Sequence, residues 1–400
     1  MKKTVLSAAL ASVMAASTAL AETQVPPAPI QLGLGGYVTW YGAYVNQKRD
    51  TLVASELGTP FPIGKYNNFD VIGNAEIYFS GKARLNNGIV VGAMVQLEAG
   101  TDPSTASKTI DESYMTVDSS LGRIIIGNVK NVAYQMSVTA PDFSTIGLQD
   151  SDYDQLIVPP DGFTLHNATY PLFDDISTKI SYITPTFAGF TAGVSFLPGN
   201  STKGQDNNNL LFPTDSVPLN RKFKDGLVAV GLYEQNFGAF NIASSVSFTT
   251  YKPFVATFED NGGNISLLRE KTKSVKEYAA GLNIGSGNWN FGGSYRYVDA
   301  PKSSVAVLDN DLNGYAWDAG ISYSFGPVET SLNYFHSSKS NYAFDGDDEY
   351  NLYQLAGNYQ LGAGVGTFVN VGYVEYESAD KSRGKSNEGL AVSTGFNLSF

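Results

Sequence analysis

The last eleven residues restrict the fold more than any other stretch. Leu390, Val392, Thr394, Phe396, Leu398 and Phe400 share one parity, and Ala391, Ser393, Gly395, Asn397 and Ser399 the other. A strand sends alternate side chains to opposite faces, so residues 390–400 carry one apolar face and one small, polar face. An edge strand of a soluble sandwich carries the same alternation. A strand that ends the chain on an aromatic, apolar outside and polar inside, is also what a closed transmembrane β-barrel needs to seal its last edge.

The rest of the chain supports the barrel. Residues 1–21 combine Lys2 and Lys3, an apolar run and Ala19-Leu20-Ala21, the three-part layout of a secretory signal peptide. We therefore expect a mature domain of residues 22–400. Without the two lysines the formal charge of −12 becomes −14, an acidic balance that argues against a nucleic-acid partner. There is no cysteine, hence no disulfide framework or thiolate metal site. No apolar run of about 18 residues follows Ala21, which excludes ordinary transmembrane helices and leaves strands as the means of spanning a bilayer. The 24 Tyr, 23 Phe and 41 Gly suit many short strands joined by turns.

In residues 71–85, Val71, Gly73, Ala75, Ile77, Phe79, Gly81, Ala83 and Leu85 alternate with Ile72, Asn74, Glu76, Tyr78, Ser80, Lys82 and Arg84. Asn86-Asn87-Gly88 supplies a tight turn, and residues 89–98 return with the same rhythm. Strand 1 is placed at 32–45, with no clear lipid-facing parity. Further strands follow at 112–118, 123–129, 176–184, 190–197, 227–235, 240–250, 277–284, 289–299, 315–325, 328–335, 350–361 and 367–376. The count is sixteen with the terminal strand, short turns on one side and long loops on the other. That is an all-β, antiparallel, closed barrel wide enough for an aqueous lumen.

These residues resemble the Gram-negative general (non-specific) porins, particularly the alphaproteobacterial type. Asp111-Glu112-Ser113-Tyr114, followed by Leu121-Gly122-Arg123 and Ile126-Gly127, is similar to their strand 4 and 5 signature. Lys179-Ile180-Ser181-Tyr182-Ile183-Thr184-Pro185, then Phe187-Ala188-Gly189-Phe190 and Gly193-Val194-Ser195, is similar to strands 6 and 7. Phe400 with Leu398 and Phe396 resembles the C-terminal signal read by the outer-membrane assembly machinery. The resemblance implies a homotrimer of sixteen-stranded barrels in the bacterial outer membrane, in contact with lipid and lipopolysaccharide, passing small hydrophilic solutes and ions by diffusion without catalysis.

It also implies that the loop after strand 5 folds into the barrel and narrows it. That position holds residues 130–167, beginning at Lys130, with Asp142, Asp150, Asp152, Asp154 and Asp161. An outer loop solvated by aspartates is the plain alternative. Ile124, Ile125 and Ile126 break the alternation, as expected of a wall covered inside by the loop and outside by a neighbouring subunit. Better-known members set arginines opposite the acidic loop; the matching positions here are Glu76 and Asn128. Lys82, Arg84, Arg123 and Arg296 can supply a basic side, with Lys82 and Arg84 near the short-turn end. A mildly cation-preferring pore is the expectation. The alternatives are a substrate-selective channel, with Tyr78 and Tyr114 stacking sugars, and a structural or adhesive barrel that conducts little.

Enzyme chemistry finds little support. His166 and His336 are the only histidines and have no recognisable nucleophile beside them. Asp309-Asn310-Asp311-Leu312-Asn313-Gly314 begins like a calcium loop, but its twelfth position is Gly320 where a bidentate Glu is required. It and Asp345-Gly346-Asp347-Asp348-Glu349 are at most weak Ca²⁺ or Mg²⁺ sites, and no firm metal or other cofactor site is expected.

Overall fold

The two-residue alternation is realised as sixteen antiparallel strands in a computed structural model. It describes residues 29–48, 51–53, 62–65, 67–99, 110–149, 151–160, 163, 168–171, 173–174, 176–201, 221–253, 256–260, 265–269, 273–300, 313–341, 346–379 and 386–400. The strands are β1 (Gln31–Gln47), β2 (Phe69–Arg84), β3 (Val90–Glu98), β4 (Ile110–Ser119), β5 (Gly122–Val129), β6 (Ser177–Ile183), β7 (Phe190–Ser201) and β8 (Arg221–Phe237). They continue as β9 (Phe240–Pro253), β10 (Val275–Ser286), β11 (Trp289–Asp299), β12 (Gly314–Phe325), β13 (Val328–Ser340), β14 (Asp347–Gly362), β15 (Val365–Glu377) and β16 (Ser386–Ser399). Each pairs with its sequence neighbours, and β1 also pairs with β16, so the sheet closes on itself and leaves no edge. Two small hairpins, 51–53 with 62–65 and 256–260 with 265–269, stand outside the barrel sheet. The signal-like residues 1–21 lie outside the described residues.

The expected strands are all present, and several extend further at the long-loop end. The 227–235 segment becomes the 17-residue β8, whose register shifts between Lys224 and Leu227. At the other end the strands are joined by turns of a few residues. Gly287 and Gly326 take φ of 58° and 56° there, a region in which a Cβ is strained.

The terminal strand behaves as its alternation requires. Leu390, Phe396, Leu398 and Phe400 are exposed on the outer surface, whereas Ala391 and Ser393 are buried inside. Phe400 exchanges both backbone hydrogen bonds with Gly36, at 3.0 and 3.1 Å. Outward aromatics gather towards both strand ends, among them Phe190, Phe237, Phe240 and Trp289 near the short turns and Phe69, Tyr297 and Tyr353 near the long loops. Aromatic girdles of this kind mark the two interfaces of a membrane barrel. Among the described residues no helix is long and apolar enough to cross a membrane.

The parity that β1 lacks in sequence has a structural cause. Tyr37, Ala43 and Val45 point inward and are buried, and Trp40 and Tyr44 point outward. Ala43 and Val45 belong to an apolar cluster inside the barrel, formed with the chain between β5 and β6. An inner wall that is itself covered can be as apolar as the outer one.

Candidate functional site

The chain between β5 and β6 enters the barrel and follows its inner wall. It opens with the short helix α1 (Val132–Gln135), capped by the Asn131 side chain accepting from the Tyr134 N–H at 2.9 Å. Val132, Ala133 and Met136 pack on Leu197, Val228, Val230, Val275 and Val298 of β7, β8, β10 and β11. Ile146, Leu148, Tyr153 and Ile157 then pack on Ala316, Phe335, Leu352, Val374 and Ala391 of β12–β16. Each such fully buried aliphatic side chain contributes roughly 1.5–3 kcal/mol. The close approach demands glycine at one point: a Cβ on Gly372 would fall within the ring of Tyr153.

Backbone groups of this loop are satisfied by wall side chains rather than by a ladder, as buried backbone polar groups require. The N–H groups of Val132, Val138, Ala140 and Phe143 donate to Ser195 Oγ (3.1 Å), Ser245 Oγ (2.8 Å), Asp318 Oδ1 (2.9 Å) and Ser331 Oγ (3.0 Å). Val158 N–H donates to Gln47 Oε1 at 2.9 Å, and Asn387 Nδ2 donates to the Val158 carbonyl at 2.8 Å. Asp318 is the densest anchor. Its Oδ2 accepts from Gln149 Nε2, Thr169 Oγ1 (3.1 Å) and Ser294 Oγ (2.7 Å). Asp142 is half-buried and accepts from Ser144 N–H, Leu148 N–H and Asn333 Nδ2. Burial pushes its carboxyl above the usual range, against the pull of those donors.

These anchors fall on β7, β9, β11–β16 and β1. On the other side, β2–β5 face a recess lined by Tyr78, Lys82, Met94, Gln96, Glu112, Tyr114, Arg123, Lys130 and Gln135. Here Glu76, Glu98 and Asp111 bring one carboxylate oxygen each to within 4.8 Å of one another. Glu76 is 3% exposed and accepts from Tyr37 Oη (2.9 Å) and Tyr78 Oη (2.8 Å). Alternation alone puts Glu98 beside Glu76, and the two are register partners. Asp111 and Glu112 reach the same wall through the register shift between Val95 and Leu97, which sets two residues of β4 opposite Gln96. Such a bulge has no clear mark in the sequence.

The sequence-derived site residues separate into distinct environments. Lys82 and Arg84 stand near the short-turn end of β2, with Lys82 exposed. Arg123 Nε pairs with Asp118 beside the β4–β5 turn. Lys130 is buried, its Nζ 5.3 Å from the Tyr134 ring centre and its N–H directed at Glu112 Oε1 at 3.4 Å. Asp154 accepts from Tyr376 Oη at 2.5 Å. Asp150, Asp161 and His166 lie outside the described residues, as does the side chain of Asp152.

Three expectations need correction. Arg296 is not a free cation of the channel: it is 5% exposed, pairs with Glu277 Oε2 at 2.9 Å and donates to the Ala168 carbonyl at 3.0 Å. A guanidinium under the loop is tolerated only with its counter-charge. Asn128 matches the wall position of the family arginines in sequence, yet it faces outward and accepts from Thr178 Oγ1 at 2.6 Å. Its neighbours Ile124 and Ile126 share that outer face, at 38% and 50% exposure, whereas Ile125 is buried inside. The inner loop is also not an acidic rim throughout, since Asp142 and Asp154 are spent on anchoring. Of the calcium-like stretches, residues 309–312 and 345 are outside the described residues. Asp348 accepts from Ala379 N–H and Asn341 Nδ2, and thus ties the chain after β15 to the chain between β13 and β14. His336 faces outward against Tyr315 and Trp317 and shares a hydrogen bond with Asn351.

A model of the Gram-negative porin family matches residues 7–379. The chain belongs to that family. The porin's barrel is similar to the outer-membrane channel DcaP of Acinetobacter baumannii, with a TM-score of 0.60 and 16% identity, covering 95% of this chain and all of that one. It is similar to the anion-selective porin of Comamonas acidovorans at TM-score 0.55 and 15% identity, over 93% of this chain and all of that one. The trimer form of OmpT of Vibrio cholerae gives TM-score 0.55 and 11% identity, over 92% and 99%. At these identities the likeness establishes the fold of an outer-membrane channel; side chains decide what passes through this one.

Proposed function

We propose that this porin is a water-filled channel for passive diffusion of small hydrophilic solutes and ions, with a mild preference for cations. The observation that carries the reading is the carboxylate group of Glu76, Glu98 and Asp111 on the wall away from the loop's anchors. In a confined lumen with low-dielectric walls, fixed negative charge raises the local cation concentration. The basic groups are placed less effectively: Arg123 is neutralised by Asp118, Arg296 by Glu277, and Lys82 and Arg84 sit towards the short-turn mouth.

The reading includes export by a cleaved signal peptide, assembly through the C-terminal strand, and a homotrimer set in lipid and lipopolysaccharide. The outer face supports the trimer. The outward positions of β3–β5 are aliphatic or small apart from Asn128, including Val91, Ala93, Val95, Met115, Ile124 and Ile126, with no aromatic among them. A wall without an aromatic girdle suits a protein neighbour better than a lipid interface. Selective passage of a stacking solute is a second reading, favoured by Tyr78 and Tyr114 lining the same recess.

Refolded protein in a planar bilayer tests both. Large ohmic steps in groups of three, with a cation-selective reversal potential under a KCl gradient, are expected. Folded protein without channels would overturn the porin reading, an anion-selective reversal would overturn the role of the carboxylates, and saturable block by one sugar would favour the second reading.

A further inference from the structure

Towards the short-turn end, on the wall away from the acidic group, the lumen holds a polar recess of about 350 Å³ between β8 and β11. Glu234, Asn236, Asn241, Asn283 and Asn290 line it, and Gly285 forms part of its floor. Parity places these side chains inside the barrel: Glu234 and Asn236 share a face with the buried Val228 and Val230, and Asn290 shares one with Ser294 and Arg296. Two of the amides lie flat because the neighbouring strand carries glycine beneath them. A Cβ on Gly285 would collide with Asn241, and one on Gly292 with Asn283. The glycines therefore keep the recess open instead of letting the amides cross it.

Its chemistry is lopsided. Among the described residues Glu234 is the sole ionisable group in the lining, and no cation is among its neighbours there. Among the described residues no hydrogen bond or ion pair engages its carboxylate, and Asn283 Oδ1 is buried without a partner. The lining offers one full negative charge, amide carbonyls to accept and amide N–H groups to donate. Among the described residues it offers no aromatic side chain on which a sugar ring could stack.

We propose that this recess is a weak subsite for small primary ammonium solutes bearing a second hydrogen-bonding group. The ammonium would pair with Glu234 and an amide carbonyl, as a charge-assisted contact, and the second group would meet the amides of Asn241 and Asn290. The subsite rests on the lumen being solvent-filled, as in the channel reading above, and is separable from it by experiment.

Ethanolamine at neutral pH is the probe, with tetramethylammonium, which has no N–H donor, as the control. Added from the short-turn side of a bilayer holding the full-length mature porin, ethanolamine should reduce the K⁺ current saturably. Glu234→Gln, nearly isosteric, should raise the half-blocking concentration at least fivefold, and Asn290→Ala at least twofold. Tetramethylammonium should block neither protein saturably. Equal half-blocking concentrations in wild type and Glu234→Gln, equal block by the two cations, or intact K⁺ current with no saturable block would each overturn the subsite while leaving the channel standing. A protein without current would overturn the channel instead. Saturation transfer from detergent-refolded protein to the ethanolamine methylenes then decides the subsite: reduced transfer in Glu234→Gln supports it, and unchanged transfer removes it.

Discussion

The inner wall of the barrel has two kinds of surface. Where the loop docks, from β7 round to β1, it is built like a protein core, with Leu197, Val230, Phe335, Leu352 and Val374 buried and with Ser195, Ser245, Asp318 and Ser331 each accepting from a loop backbone N–H. Along β2–β5 it faces a recess, with Glu98, Asp111 and Lys82 among tyrosines and with Glu76 and Arg123 held by Tyr37, Tyr78 and Asp118. A charge beneath the loop must bring its partner with it, as Arg296 does with Glu277, whereas Glu98 and Asp111 on the other wall are only half-buried. Residue type alone therefore does not identify a pore charge; its wall does.

The largest effect is expected from breaking the docked wall. Asp318→Ala removes the acceptor of Ala140 N–H, Gln149, Thr169 and Ser294. Stranded buried donors cost about 1–3 kcal/mol each, so the variant should unfold at markedly lower denaturant in detergent and give noisy, larger conductance steps. Quiet wild-type steps would show that the loop is held by packing alone. Glu277→Ala should cost about 3–5 kcal/mol by leaving Arg296 buried and unpaired. The joint replacement Glu277→Leu with Arg296→Met should recover most of that and leave the reversal potential unchanged. A shifted reversal potential in the double variant would return Arg296 to the pore.

On the open wall stability should barely change while selectivity does. Glu98→Gln with Asp111→Asn is expected to reduce the K⁺ over Cl⁻ preference by about twofold, since local counter-ion concentration follows fixed charge; a constant reversal potential would remove these carboxylates from selectivity. Lys82→Gln should shift the same reading slightly towards cations, the shift shrinking as salt rises. Asn128→Ala, on the outer face, should alter neither current nor selectivity, and any change in ion preference would argue against its outward orientation.

Much of the barrel is legible in sequence because a two-residue period with one wet and one greasy face has few alternative solutions. Residues 71–85 and 390–400 declare their faces outright. β1 does not, because its inner face meets the loop, and a strand covered on both sides loses its alternation. Among site residues, Glu76 reads correctly as inward from parity. Its company does not: Asp111 arrives through a register shift, and Tyr37 and Tyr78 bond it from two strands. Arg296 misleads for a related reason, since its partner Glu277 lies on the adjacent strand and its cover, Ala168, is 128 residues away in the chain.

The seam between β1 and β16 joins Gly36 to Phe400, and the loop touches both of its sides, through Gln47 on β1 and Asn387 on β16. Bringing together chain ends so distant is the entropically slowest kind of contact. With Val158 bridging the gap from within, the loop acts as an internal mandrel: once it has settled on β7–β15, the last strand has a surface that dictates where it must land. A loop loosened by Asp318→Ala would be felt first in the yield of closed barrels, before any effect on the ions that cross them.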